Sequence, residues 1–120
     1  MKFALAFISC LLASCASFSS GGRNALVGEW KYADKIQSCR YGFQPDGSFT
    51  GEVSYRGTLV SKFRGRWAVK GDVLLYNYIS DTLNRIPAGA IDRDKLLNVE
   101  KDSFLIEAAD GSQRRYVRIR

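Results

Sequence analysis

Few side chains in this sequence could do chemistry, because the chain contains no histidine. Cys39 could act as a nucleophile, but no histidine is present to take up its proton, so catalysis at this thiol is not expected. In the alternating pattern of this segment, Cys39 falls on the same strand face as Tyr41 and Phe43, which favours a thiol packed in the core. If the chain is exported, an intermolecular disulfide is the alternative for an odd cysteine.

Two carboxylates, Asp92 and Asp94, flank Arg93 and would share one face of a strand. Such a pair could bind Ca²⁺ or act as acid and base, but alone it supplies too few ligands, so we expect a solvated strand or turn. The sequence contains no Gly-rich phosphate loop, no Ser–His–Asp set, no His-containing metal site and no CxxC motif. We therefore predict no catalytic residue, no metal and no cofactor, and a protein that is not an enzyme.

The N-terminal residues are typical of an export signal. Lys2 is followed by a charge-free apolar run over residues 3–13, too short to span a bilayer but suited to a secretory signal. The sequence Leu12-Ala13-Ser14-Cys15 resembles a bacterial lipobox. The resemblance implies cleavage before Cys15, a diacylglycerol on its sulfur and a fatty acyl chain such as palmitate on its amino group. An ordinary signal peptide that happens to contain cysteines is the alternative.

The expected location follows from this signal. Two or more acyl chains anchor a protein durably. Ala16 stands where an aspartate would resemble an inner-membrane retention signal, so we expect the outer membrane and a periplasm-facing domain. We divide the chain into a signal peptide (1–14), a lipidated flexible tether of small and polar residues (15–24) and one domain (25–120).

The domain follows a period of two from Leu26 onward, with apolar and polar residues alternating. Turn sequences interrupt it at 45–47, 71–72 and 110–111. We predict an all-β fold of about eight short antiparallel strands in an up-and-down barrel or half-barrel, with no convincing helix. Residues 81–89 are predicted to be a loop, and residues 90–100 one strand or two.

Aromatic residues dominate the inferred inner face. They could line a pocket for an apolar ligand, or they could be the core of so short a barrel. These residues are Trp30, Tyr32, Tyr41, Phe43, Phe49, Tyr55, Phe63 and Trp67.

The net charge of +6 gives the chain a basic surface, which favours anionic neighbours. Arg64 and Arg66 lie on one outward strand face. They could contact lipopolysaccharide phosphates, anionic lipids or an acidic protein, or could simply protect a strand edge from pairing. Nucleic acid is not expected as a partner of an exported protein.

Two segments carry a family resemblance, Leu26-Val27-Gly28-Glu29-Trp30 and Gly65-Arg66-Trp67-Ala68-Val69-Lys70-Gly71-Asp72. Over residues 26–118 the chain resembles small bacterial lipocalin-like domains. The resemblance implies that Trp30 lies at the closed base of a barrel, with Arg118 or Arg120 stacked on its ring. Avidin-like barrels share a Gly-x-Trp start and are the rival fold.

The function implied by the resemblance is that of a lipid-anchored domain that binds a small apolar or amphipathic ligand in the cell envelope. The alternative is a solid barrel that serves as a protein-interaction or envelope-structural accessory module through its basic outer face.

Overall fold

The computed structural model describes residues 23–120, and its eight strands form one closed antiparallel barrel in chain order. The strands are β1 (Gly28–Ala33), β2 (Gln37–Phe43), β3 (Ser48–Tyr55), β4 (Thr58–Lys70), β5 (Val73–Asp81), β6 (Ile91–Val99), β7 (Ser103–Glu107) and β8 (Gln113–Arg118). β1 pairs with β8 to close the sheet. The prediction of an all-β, eight-stranded up-and-down barrel is confirmed. The predicted signal peptide and Cys15 lie outside the described residues.

Residues 23–26 form a single helical turn before β1. Within residues 23–120, no helix has the length and apolar character needed to cross a membrane.

The β3–β4 hairpin is longer than the alternation predicts, since β4 begins at Thr58 and the sequence indicated a strand only from Phe63. The register shifts where Val53 pairs with Ser61 and Ser54 with Leu59, so Val60 is an extra residue that interrupts the period of two. A second shift lies between Arg64 and Gly65. A Cβ on Gly65 would collide with the carbonyl oxygen of Asn77, so this close approach requires glycine.

The closed end of the barrel is built around Trp30, which is fully buried and donates through Nε1 to the carbonyl of Leu26 at 2.8 Å. The Arg118 guanidinium carbon lies 4.2 Å from the centre of the Trp30 ring. Arg118 also donates to the carbonyls of Val27 (2.9 Å), Ala25 (2.9 Å) and Lys101 (2.8 Å). Of the two arginines that the resemblance offered as the stacking partner, the structure places Arg118 on the ring.

The loop at the open end, residues 82–90, is organised by the buried carboxylate of Asp81, which accepts five hydrogen bonds. The donors are the Ser61 hydroxyl (2.6 Å) and the amides of Lys62, Leu83, Arg85 and Ile86. Burial raises the pKa of Asp81, but the hydrogen bonds from Ser61 and the amides outweigh it and lower the pKa to about 2.

Replacing Asp81 with Asn removes one acceptor oxygen and leaves buried donors unpaired. We expect Asp81→Asn to lower the free energy of unfolding at pH 7 by about 1–3 kcal/mol in urea titrations. The lowered pKa means that the ionised carboxylate stabilises the fold above its usual pKa of 3.8, and this stabilisation is lost as the pH falls towards 2. Asp110→Asn, in an exposed turn, is the control; a comparable loss there would contradict this role of Asp81.

Candidate functional site

The inward-facing side chains change character along the barrel axis. Towards the closed end they are apolar and have almost no exposed surface. Towards the open end, hydroxyl and charged groups face inward. We call these groups the inner polar cluster: Tyr41, Tyr76, Tyr78, Asp94, Arg114 and Tyr116.

Tyr41 lies at the centre of the barrel. Its ring centroid lies 5.6–6.3 Å from those of five other aromatic residues. The five are Phe43, Phe49, Phe63, Tyr76 and Tyr116. Tyr41 itself is half-buried, whereas Phe43 and Phe49 are each 1% exposed. The barrel axis is therefore filled between Tyr41 and the closed end.

Asp94 is the acidic member of the cluster, and its Oδ2 accepts a hydrogen bond from the Tyr76 hydroxyl at 2.8 Å. Burial raises the pKa of Asp94, because the charged form loses solvation inside the barrel. The hydrogen bond from Tyr76 offsets part of this rise. The expectation of a solvated pair is therefore wrong for Asp94, although Asp92 is exposed. The two carboxylates share strand parity, but Asp94 lies deeper along β6.

Arg114 and Tyr116 carry the cluster onto β8, with Arg114 half-buried and Tyr116 2% exposed. The Arg114 guanidinium lies 5.8 Å from the centre of the Tyr32 ring. Burial raises the pKa values of Tyr41 and Tyr76 well above the usual range of tyrosine, so the hydroxyl groups of both residues remain neutral. The cluster thus combines a cation, a carboxylate and neutral hydroxyls around aromatic rings.

Cys39 is buried beside this cluster, as its shared parity with Tyr41 and Phe43 predicts. The side-chain amide of Gln37 donates to its sulfur at 3.3 Å. Among residues 23–120, no three Asp, Glu or Cys side chains group closely enough to hold a metal ion.

Most aromatic residues that the sequence proposed as pocket lining or core occupy the core. Trp30, Phe43, Phe49, Phe63 and Trp67 are all 4% exposed or less. Tyr55 is a correction, since its ring is 47% exposed. It ends β3 beside the tight turn at Arg56–Gly57, where the β3–β4 hairpin reaches past the barrel, and the Arg56 guanidinium lies 5.5 Å from the centre of its ring.

A groove of about 560 Å³ crosses the outer surface of β1 to β5. Small outward residues form its floor, where Gly42 pairs with Thr50 across β2 and β3. Thr50 also pairs with Arg64 on β4, whose long side chain belongs to a wall of the groove. Long charged side chains form its walls: Glu29, Arg40, Glu52, Lys62 and Arg64. Arg66, the predicted companion of Arg64, lies outside the groove and donates to the carbonyl of Asp46 at 3.0 Å.

Known proteins were compared at the level of sequence and of fold. No family model and no curated protein matches the sequence. The crystal structure of a lipocalin-like protein from Bacteroides uniformis ATCC 8492 superposes with a TM-score of 0.59 and 21% sequence identity, over 79% of this chain and 99% of that one. This domain has a lipocalin-like fold. At such identity the similarity concerns the fold alone.

Sequence reasoning missed the inner polar cluster as a group. Asp94 shares parity with buried Leu96, and Arg114 with buried Tyr116, so the alternation already placed both charges on the inner face. The alternation does not predict that these charges lie close to the tyrosines of β2 and β5, because that proximity depends on how the closed barrel brings distant strands together.

Asp94→Asn keeps an acceptor for the Tyr76 hydroxyl while removing a desolvated charge. We expect it to raise the free energy of unfolding at pH 7 by on the order of 1 kcal/mol. Because the folded-state pKa is raised, the wild-type domain loses stability as the pH rises above 3.8, so the advantage of the variant vanishes in more acidic solution. Thermal unfolding between pH 3 and 7 measures this, with exposed Asp92→Asn as control. A destabilised Asp94→Asn at pH 7 would assign the carboxylate a structural role.

Proposed function

We propose that this lipocalin-like domain binds a small amphipathic molecule at the open end of its barrel. The observation that carries the proposal is Asp94, an ionisable group placed inside the barrel at a cost in solvation. Neighbouring inward-facing positions, such as Leu74 and Leu96, hold apolar side chains, so the barrel interior can be packed without a charged group. Titratable groups with perturbed pKa values are found often at functional sites.

The shape of the interior limits the ligand. The buried rings between Tyr41 and the closed end fill that half of the barrel. We therefore place the ligand at the open end, where a small molecule fits better than a long acyl chain. Its apolar part would contact the aromatic rings around Tyr41. Its polar part would lie between Asp94 and Arg114, which offer a carboxylate and a guanidinium from β6 and β8.

Binding, and not catalysis, is the activity proposed. The chain contains no histidine, and its thiol at Cys39 is buried. A second candidate is an accessory module that contacts another component of the envelope, and the groove on the outer surface supports it.

Ligand binding can be tested with the anionic fluorophore 1-anilinonaphthalene-8-sulfonate. Residues 23–120 contain all eight strands and both partners of every strand pair, so this part of the chain can be produced alone. We expect fluorescence enhancement on titration with the fluorophore, and an affinity about tenfold weaker in Arg114→Gln, because a charge-assisted hydrogen bond to the sulfonate is lost.

Arg115→Gln is the matched control, since Arg115 is the next residue on β8 but faces outward and is exposed. Equal affinities in the two variants would mean that the fluorophore binds elsewhere. A domain that binds neither the fluorophore nor any component of an envelope lipid extract, as judged by native mass spectrometry, would favour the accessory module.

We further propose that Cys15 carries the lipid anchor and that the domain faces the periplasm from the outer membrane. The lipobox resemblance supports this. In the full chain, Cys15→Ser is expected to abolish metabolic labelling with palmitate and release the protein from the membrane fraction. Cys10→Ser, at a poorer match to the same motif, should leave both unchanged; persistence of the label in Cys15→Ser would refute the assignment.

A further inference from the structure

We propose that the side of the barrel formed by β2 to β5, led by the projecting β3–β4 turn, docks on an anionic phospholipid bilayer. This surface is called the docking side below. The inference does not depend on ligand binding inside the barrel, because it uses outward-facing residues and exposed loops.

The leading edge of the docking side is apolar. Four of its large side chains are between 42% and 47% exposed, and all lie in or beside three loops at the open end. They are Ile36, Tyr55, Leu59 and Leu83. Exposed apolar groups gathered at one edge, with a tyrosine among them, are typical of surfaces that enter the interfacial region of a bilayer.

Hydrogen bonds hold these loops side by side. The amide of Arg56 donates to the carbonyl of Ile36 at 2.7 Å, which joins the β3–β4 turn to the β1–β2 turn. The amide of Thr82 donates to the carbonyl of Lys62 at 2.8 Å, which joins the next loop to β4. The apolar edge is therefore a continuous feature of neighbouring loops.

Cations lie behind and around this edge. Arg40, Lys62, Arg64 and Arg66 project outward from β2 and β4 and are exposed. Lys35, Arg56 and Arg85 are exposed on the loops themselves. Glu52 pairs with Arg40 and Lys62 in the strand register, and Glu29 lies 4.0 Å from Arg40. The cations of this face outnumber these two carboxylates.

The order of these groups matches the layers of a bilayer. The apolar edge would reach the boundary of the hydrocarbon region, while the cations behind it would meet the layer of lipid phosphates. The groove lined by Arg40, Lys62 and Arg64 leaves room for head groups between the side chains.

The described chain also begins on this side. Arg23 donates to the carbonyl of Pro45 at 3.1 Å, and its guanidinium lies 4.8 Å from the centre of the Trp67 ring. These residues belong to the β2–β3 turn and to β4. A membrane tether that precedes Arg23 would therefore leave the barrel next to the docking side, and the barrel could lie on it without wrapping the chain around the domain.

Co-sedimentation with vesicles tests the proposal. Residues 23–120 should bind vesicles of mixed phosphatidylglycerol and phosphatidylcholine, and bind pure phosphatidylcholine vesicles much more weakly. Added salt should weaken binding to the anionic vesicles. Each basic residue near the lipid surface contributes about fivefold in affinity, so Lys62→Gln/Arg64→Gln should bind roughly 25-fold more weakly. Leu59→Ser should also weaken binding, through the apolar edge.

Matched controls lie on the other side of the barrel. Arg93→Gln/Lys95→Gln removes the same charge at the same spacing from the outward face of β6, and Val117→Ser removes an exposed apolar group from β8. Both should bind like the wild type, and circular dichroism should show all variants folded. The proposal is overturned if the β6 variant loses as much affinity as the β4 variant. It is equally overturned if the wild type ignores anionic vesicles and instead self-associates in sedimentation velocity runs.

Discussion

An up-and-down barrel closes only where its first and last strands meet, and in this domain Arg118 secures that meeting. Its guanidinium covers the Trp30 ring and donates to carbonyls of the segment before β1 and of the β6–β7 turn. One planar cation with several donors can satisfy these scattered acceptors and an aromatic face together, which a lysine ammonium could not do as well. The pairing between β1 and β8 is short, with two residue pairs. Backbone hydrogen bonds of Glu29 with Ile119 (2.7 Å) and Arg120 (2.9 Å) extend it, and the Arg118 side chain adds further support.

Closure at this end determines where function can lie. An eight-stranded barrel has an interior about as wide as the side chains that fill it. The aromatic residues around Phe43 and Phe49 fill the closed half, so any ligand must be held by the open half. There the core departs from the apolar packing that would stabilise it most, because Asp94 and Arg114 bring charge to the inner face. Proteins retain such costly groups chiefly where binding or catalysis uses them.

The strands and the barrel could be predicted from the sequence because the period of two is regular and the turns carry characteristic residues. The resemblance offered two arginines, Arg118 and Arg120, as stacking partners of Trp30. Both have the inward parity of β8, but Arg118 pairs with Trp30 in the strand register, whereas Arg120 lies beyond the end of β8. Tyr55 was misplaced, since parity gives the face of a strand and says nothing of how far the strand reaches past the barrel. Asp94 was misplaced because its charge suggested a solvated side chain. In the closed barrel its strand parity directs the carboxylate inward, where it accepts a hydrogen bond from Tyr76.

The two proposed surfaces meet at the rim of the barrel. Ile36, Tyr55 and Leu59 lie in or beside loops that border the open end, and these loops also lead the docking side. A barrel tilted onto a bilayer along this edge would hold its opening close to the lipid interface, so an amphipathic molecule could pass between membrane and inner polar cluster with little exposure of its apolar part to water. The two proposed activities remain physically separable, because the side chains of the inner polar cluster face inward, while the cations that the docking side carries on β2 and β4 face outward.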